Sequence, residues 1–152
     1  MIDINNESGI AADELGLVAL ARFTLRRMRI HPQADVSILL VDEPTMAEYH
    51  LRFMGEPGPT DVMSFPMDEL RPPGDDEEPP KGLLGDVVLC PAVTARQAPN
   101  SGRSTDEEAE YLLVHGLLHL LGFDHADPEE KAVMFGLNDD ITQAWAARRH
   151  RR

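Results

Sequence analysis

The chain reads as an α+β fold: a single domain with one mixed sheet of about four strands, about four helices, and a metal site on a buried C-terminal helix. Three observations predict it. Short, apolar, β-branched runs (VSILLV at 36–41, DVMSFP at 61–66, LLGDVVLC at 83–90) read as strands. Residues 11–30 and most of the chain beyond 104 carry helical rather than alternating periodicity. The 152 residues hold no internal repeat and are most simply one core, a single domain over 1–152.

Taken in order, residues 2–5 form a first short strand. Over 11–30, Leu17, Ala21, Leu25 and Met28 make an apolar stripe, with Arg22, Arg26 and Arg29 on another face. The second strand is 36–41. Pro44 suits the first turn of a short helix running to about Met54, and GEPGPT at 55–60 is turn chemistry. Strands 61–66 and 83–90 flank the segment DELRPPGDDEEPPKG, residues 68–82. Its six acids and four prolines read as a solvated, flexible insertion that does not pack. Ser104 with Glu107 is a capping box, and the helix it opens, to Leu121, is apolar on nearly every side. Asp127-Pro128-Glu129-Glu130 starts a last helix with Val133, Leu137, Ile141 and Trp145 as its packing stripe. Arg148, Arg149, Arg151 and Arg152 make 148–152 a basic tail.

Composition narrows the function classes. No run of about 18 apolar residues exists to span a membrane, and MIDINNESGI lacks the layout of a signal peptide. Cys90 is the only cysteine, so no intrachain disulfide forms, which suits a reducing cytoplasm. A net charge of −13 argues against a general nucleic-acid binder, DNA included. The Arg22–Arg26 cluster has two readings: a solvated helix face, or a local surface for phosphates.

Half of the six histidines fall within eleven residues, His115, His119 and His125 in HGLLHLLGFDH. The first two, four apart, share one helix face. Gly122 marks a helix stop, after which the chain turns back toward them with His125. The H-x-x-x-H-x-x-G-x-x-H spacing matches the metzincin ligand pattern. Three imidazoles with a fourth position open describe a catalytic zinc site rather than a closed structural one. Zinc peptidases of the H-E-x-x-H type keep their general base directly after the first histidine; here that position is Gly116. A phosphodiester therefore fits better than a peptide bond.

HGLLHLLGFDH resembles the H-G-x-L-H-L-x-G-[YF]-D-H signature of the YbeY family, bacterial rRNA maturation factors described as metal-dependent single-strand endoribonucleases. PTDVMSFP at 59–66 resembles the family's P-T-[DN]-V-L-S-F-P, and LLGDVVLC at 83–90 its L-G-D-[IL]-V-I segment. The resemblance covers nearly the whole chain. It implies a metzincin-like fold, one zinc ion on His115, His119 and His125, and a cytoplasmic endoribonuclease acting in 16S rRNA 3′-end maturation and ribosome quality control. The implied partners are single-stranded rRNA, the small ribosomal subunit and an assembly GTPase. The family also carries an arginine six residues before the motif threonine. Here that position is Met54, and the nearest arginine, Arg52, becomes the catalytic candidate for stabilising charge on the phosphate. Ser64, Arg22 and Arg26 are the candidate RNA contacts.

Around them, Asp124 either orients an imidazole or caps the helix exit, and Asp61 and Asp86 have structural readings as good as functional ones. Two alternatives to the nuclease stay open. One is a ribosome-assembly binding factor whose metal is mainly structural; the other is a zinc peptidase-like hydrolase lacking the usual glutamate base.

Overall fold

The computed structural model describes residues 1–149, with the Arg149 side chain outside that description. Strands β1 (Ile2–Asn6), β2 (Asp35–Leu40), β3 (Val62–Pro66) and β4 (Leu83–Leu89) form one sheet in the order β1-β2-β4-β3. The first three neighbours run parallel, and β3 lies antiparallel on β4 at the edge. The described residues form five helices: α1 (Glu14–Arg27), α2 (Glu43–Met54), α3 (Pro91–Ser101), α4 (Thr105–Leu120) and α5 (Pro128–Arg149).

Strand alternation divides the apolar side chains between two faces. Val36, Ile38 and Leu40 of β2, with Val87 and Leu89 of β4, enter the main core beneath α1, α4 and α5. Leu39 and Val88 point the other way, into a smaller cluster with Met46 of α2, Met63 and Cys90. Cys90 is fully buried, and burial pushes its thiol above the ordinary range, so it packs as a small apolar residue.

Each helix that frames the site has a legible start. Both halves of the Ser104–Glu107 capping box are made at α4. Asp127 caps α5 by accepting the Glu130 N–H at 2.8 Å. Three sequence expectations change. Arg29 lies beyond α1, in the left-handed region at φ 59°, while Ile30 N–H bonds back to the Leu25 carbonyl, so the arginine stripe ends with the helix at Arg27. The helix α3, with prolines at positions 91 and 99, is additional to the four expected. Segment 68–82 has neither helix nor strand, yet Leu70 is buried in the main core and Asp68 accepts the Leu83 N–H, so part of it packs. Of the expected basic tail, Arg151 and Arg152 lie outside the described residues.

The contact that seats α4 on the sheet is made by a glycine. A Cβ on Gly116 would lie 2.7 Å from Val87 Cγ1 and 3.2 Å from Ser64 Oγ and Val62 Cγ2. Ser64 Oγ donates to the Gly116 carbonyl at 2.8 Å, tying β3 to the helix backbone. Alanine here gains about 1 kcal/mol of helix propensity but overpacks a buried contact, which typically costs about 1–3 kcal/mol. Gly116→Ala should therefore lower the unfolding midpoint in a denaturant melt. A rise would mean that the strands yield freely at this point.

Candidate metal centre and its cleft

His115 and His119 project from α4, and His125 arrives from the turn that follows. Gly122 makes the turn in the left-handed region at φ 94°. Its N–H bonds to the His119 carbonyl and the Phe123 N–H to that of Leu118, the paired bonds of a Schellman stop. Asp124 then accepts the His125 backbone N–H at 2.8 Å, fixing the backbone of the ligand loop rather than an imidazole. The three rings meet with centroids 4.7, 5.6 and 5.2 Å apart, and one nitrogen from each lies within 4.8 Å of the others. Neutral imidazole nitrogens converging in this way form a donor set that can hold a metal ion.

Asn138 of α5 supplies a part that sequence reading missed. It is fully buried, with its amide nitrogen donating to the Tyr111 carbonyl at 3.3 Å and Oδ1 lying 3.2 Å from His115 Nδ1. The Tyr111 carbonyl can only accept, which orients the amide. Oδ1 then needs a donor, so His115 carries its proton on Nδ1 and offers Nε2 to the metal. Tyr111 stacks on the His115 ring, and Phe135 closes on His115 and His125 at 5.8 and 5.9 Å. Burial is the main reason that His115 and His119 titrate below the ordinary histidine value, with repulsion between the clustered rings adding to it. Both are thereby kept in the neutral, ligating form.

The cluster opens into a cleft of about 600 Å³. Helix α2 lines it with His50, Phe53 and Met54, the β3 edge with Thr60 and Val62 to Pro66, and α4 with His119. Ser64 is therefore in the cleft, although its hydroxyl is committed to Gly116. Asp61 ties the start of β3 to α3, accepting from Val62 N–H and Gln97 Nε2. Arg52 is exposed on α2 with its guanidinium 5.9 Å from the Phe53 ring, and it is not a lining residue. Arg22 and Arg26 are exposed on α1, which packs against β1, α4 and α5 and contributes nothing to the cleft. Asp86 faces a separate groove on the α2 side of the sheet, with Asp3 and Ser37.

An α+β domain in which three histidines converge, with His119 among them lining an open cleft, defines a class: proteins with a candidate metal site and room for a substrate beside it. The comparisons narrow it. The family model described as Endoribonuclease YbeY matches residues 3–146. A Cutibacterium acnes protein named Endoribonuclease YbeY is 70% identical over 145 residues, covering 95% of this chain and 94% of its own length. A Streptomyces griseus protein of the same name is 57% identical, covering 95% of this chain and 89% of itself. A Thermotoga maritima protein solved in solution shares the fold with a TM-score of 0.64 at 23% identity, covering 99% of this chain and 93% of its own. The chain belongs to the YbeY family. No helix among the described residues is long and apolar enough to cross a membrane.

Two outcomes are expected. Asn138→Leu removes the partner of His115 Nδ1 and should weaken metal affinity about 10–100-fold, whereas Asn138→Asp, which still accepts from Nδ1, should retain it. Chelator competition measures both. The second concerns pH. His115 and His119 titrate lower folded than unfolded, so over that interval the unfolded chain binds more protons. Metal-free protein should have its full stability above about pH 6.5 and lose it as pH falls through the folded values. Bound metal should move that loss to lower pH, read from urea midpoints across a pH series.

Proposed function

We propose that this protein is a zinc-dependent endoribonuclease for single-stranded RNA, acting in 16S rRNA 3′-end maturation and ribosome quality control. The observation that carries the reading is the convergence of three histidine nitrogens, with His119 opening onto a cleft. The name shared by the relatives supports the chemistry. The family resemblance supports the setting: the cytoplasm, the small ribosomal subunit and an assembly GTPase as partner.

Zinc is the metal best matched to three imidazoles, and it supplies Lewis acidity at an open coordination position. The chain's own groups do the rest. His115, His119 and His125 hold the ion, Asn138 fixes the His115 tautomer, and Asp124 fixes the loop that carries His125. Tyr111 and Phe135 shield the rings from water. The cleft of about 600 Å³ beside α2 offers room for a strand whose backbone would pass His119. Gly116 supports nuclease over peptidase: its missing side chain would meet Val87 and Ser64, leaving no room for the peptidase glutamate.

A metal serving mainly to hold a ribosome-binding fold is the second reading, favoured by the absence of lysine and arginine from the cleft lining. Zinc-loaded protein and His119→Ala, incubated with a single-stranded RNA ending in the 16S 3′ precursor sequence, separate the two. Cleavage by wild type that is lost in a variant still folded by circular dichroism is the expected result. An unfolded variant and an inactive wild type would favour the structural metal. Product ends assign the nucleophile: cyclic phosphate for the ribose 2′-hydroxyl, 3′-hydroxyl for water.

A further inference from the structure

The cleft presents an electrostatic problem for RNA. Among the described residues its lining contains no lysine, arginine, aspartate or glutamate, in a chain of net charge −13. Its two ionisable side chains are His119, committed to the metal cluster, and His50 of α2. The His50 ring is held between two oxygen acceptors. Nδ1 donates to the Gly58 carbonyl at 2.9 Å, and Nε2 lies 3.3 Å from the Glu56 carboxylate. Both ring nitrogens thus face oxygen atoms, which places a donor-capable ring edge at the cleft. The His50 side chain is 15% exposed, while that of Glu56 is 67% exposed on the loop after α2. Glu56 can therefore leave while His50 stays.

Beside His50 stands an aromatic surface. Phe53 is 55% exposed and makes an edge contact with Phe65 at 5.1 Å. Tyr49 packs behind both rings, at 6.2 and 6.4 Å. Exposed aromatic faces in a cleft are stacking platforms for unpaired bases. Phe53 also separates the cleft from the groove on the α2 side of the sheet, and lines both.

We infer that His50 and Phe53 form a nucleotide subsite beside the metal centre, His50 binding a backbone phosphate and Phe53 stacking the adjacent base. The Glu56 carboxylate occupies the phosphate's place until RNA displaces it. The group that receives the phosphate is thus a histidine lining the cleft, not the arginines at 22, 26 and 52. This subsite rests on the endoribonuclease reading, and the occupant is single-stranded, since a paired base offers no free face to Phe53.

Fluorescence anisotropy of zinc-loaded protein with a short labelled 2′-O-methyl oligouridylate tests it. Phe53→Ala should weaken binding by about five- to a hundred-fold, the range for loss of one stacked base, while Phe53→Trp should keep it. His50→Asn can still donate to Gly58 but loses the Nε2 edge that faces Glu56; it should weaken binding several-fold. Glu56→Gln should tighten binding, because the competing anion is gone. Wild-type affinity in both Phe53→Ala and His50→Asn would overturn the subsite and leave the nuclease reading standing. Weaker binding by Glu56→Gln would likewise overturn it, marking the carboxylate as a structural partner of His50. No binding by wild type, together with no cleavage of the precursor RNA, would remove the nuclease reading and the subsite with it.

Discussion

The seating of α4 against β3 and β4 is the constraint on which the rest depends. The backbone at Gly116 comes so close to Val62, Ser64 and Val87 that no side chain fits between. Ser64 then spends its hydroxyl on the Gly116 carbonyl. Helical geometry does the remainder, because His115 and His119 flank that contact by one residue and three, and share the face beside it. A thicker residue would lift the helix and move both ligands relative to the β3 edge. The glycine that removes a peptidase base and the glycine that positions the metal site are therefore one residue with one steric cause.

Half-burying two of the three histidines imposes polar costs, and they are met locally. Asn138 can be fully buried because both ends of its amide are satisfied, by His115 and by the Tyr111 carbonyl. Glu108, on the first turns of the same helix, is buried only with Arg103 at 2.8 Å and Ser101 as partners. Arg103 also lies over the Tyr111 ring at 3.8 Å, so one guanidinium steadies both a buried carboxylate and the ring stacked on His115. Polar order thus runs from the start of α4 to its metal ligands.

What was legible in the sequence was local. The Ser104 and Asp127 caps, the apolar run VSILLV and the Gly122 stop are short-range signals, and each marks a boundary found within a few residues. The histidine trio was legible for the same reason, since ligands four and ten residues apart on one helix and turn need no tertiary information. Helix α3 was not, because its Cys90 cap makes no side-chain bond and two prolines with few large apolar residues hide its period. Asn138, 23 residues from His115, and His50, whose cleft neighbour His119 lies on a different element, join the site only through packing. Leu70 shows the converse: six acids around it masked a core residue.

Charge is also distributed by fold rather than by composition. Asp3 and Asp86 lie on the sheet face away from α4, and Asp75 to Glu78 are exposed in the connection between β3 and β4. The cleft itself is lined by neutral and aromatic side chains with one histidine poised between acceptors. Screening over about 8–10 Å at physiological salt limits how far exposed carboxylates on other faces act on a strand lying in the cleft. An acidic protein can thus host an anionic substrate if most of its acids lie off the path and Glu56, beside it, is exposed enough to move aside. Net charge then governs how indiscriminately the molecule binds nucleic acid, while the cleft decides what it binds at the metal. On this account a strongly negative surface is compatible with a nuclease, because it suppresses adsorption of RNA anywhere except along the one neutral groove that leads to the histidines.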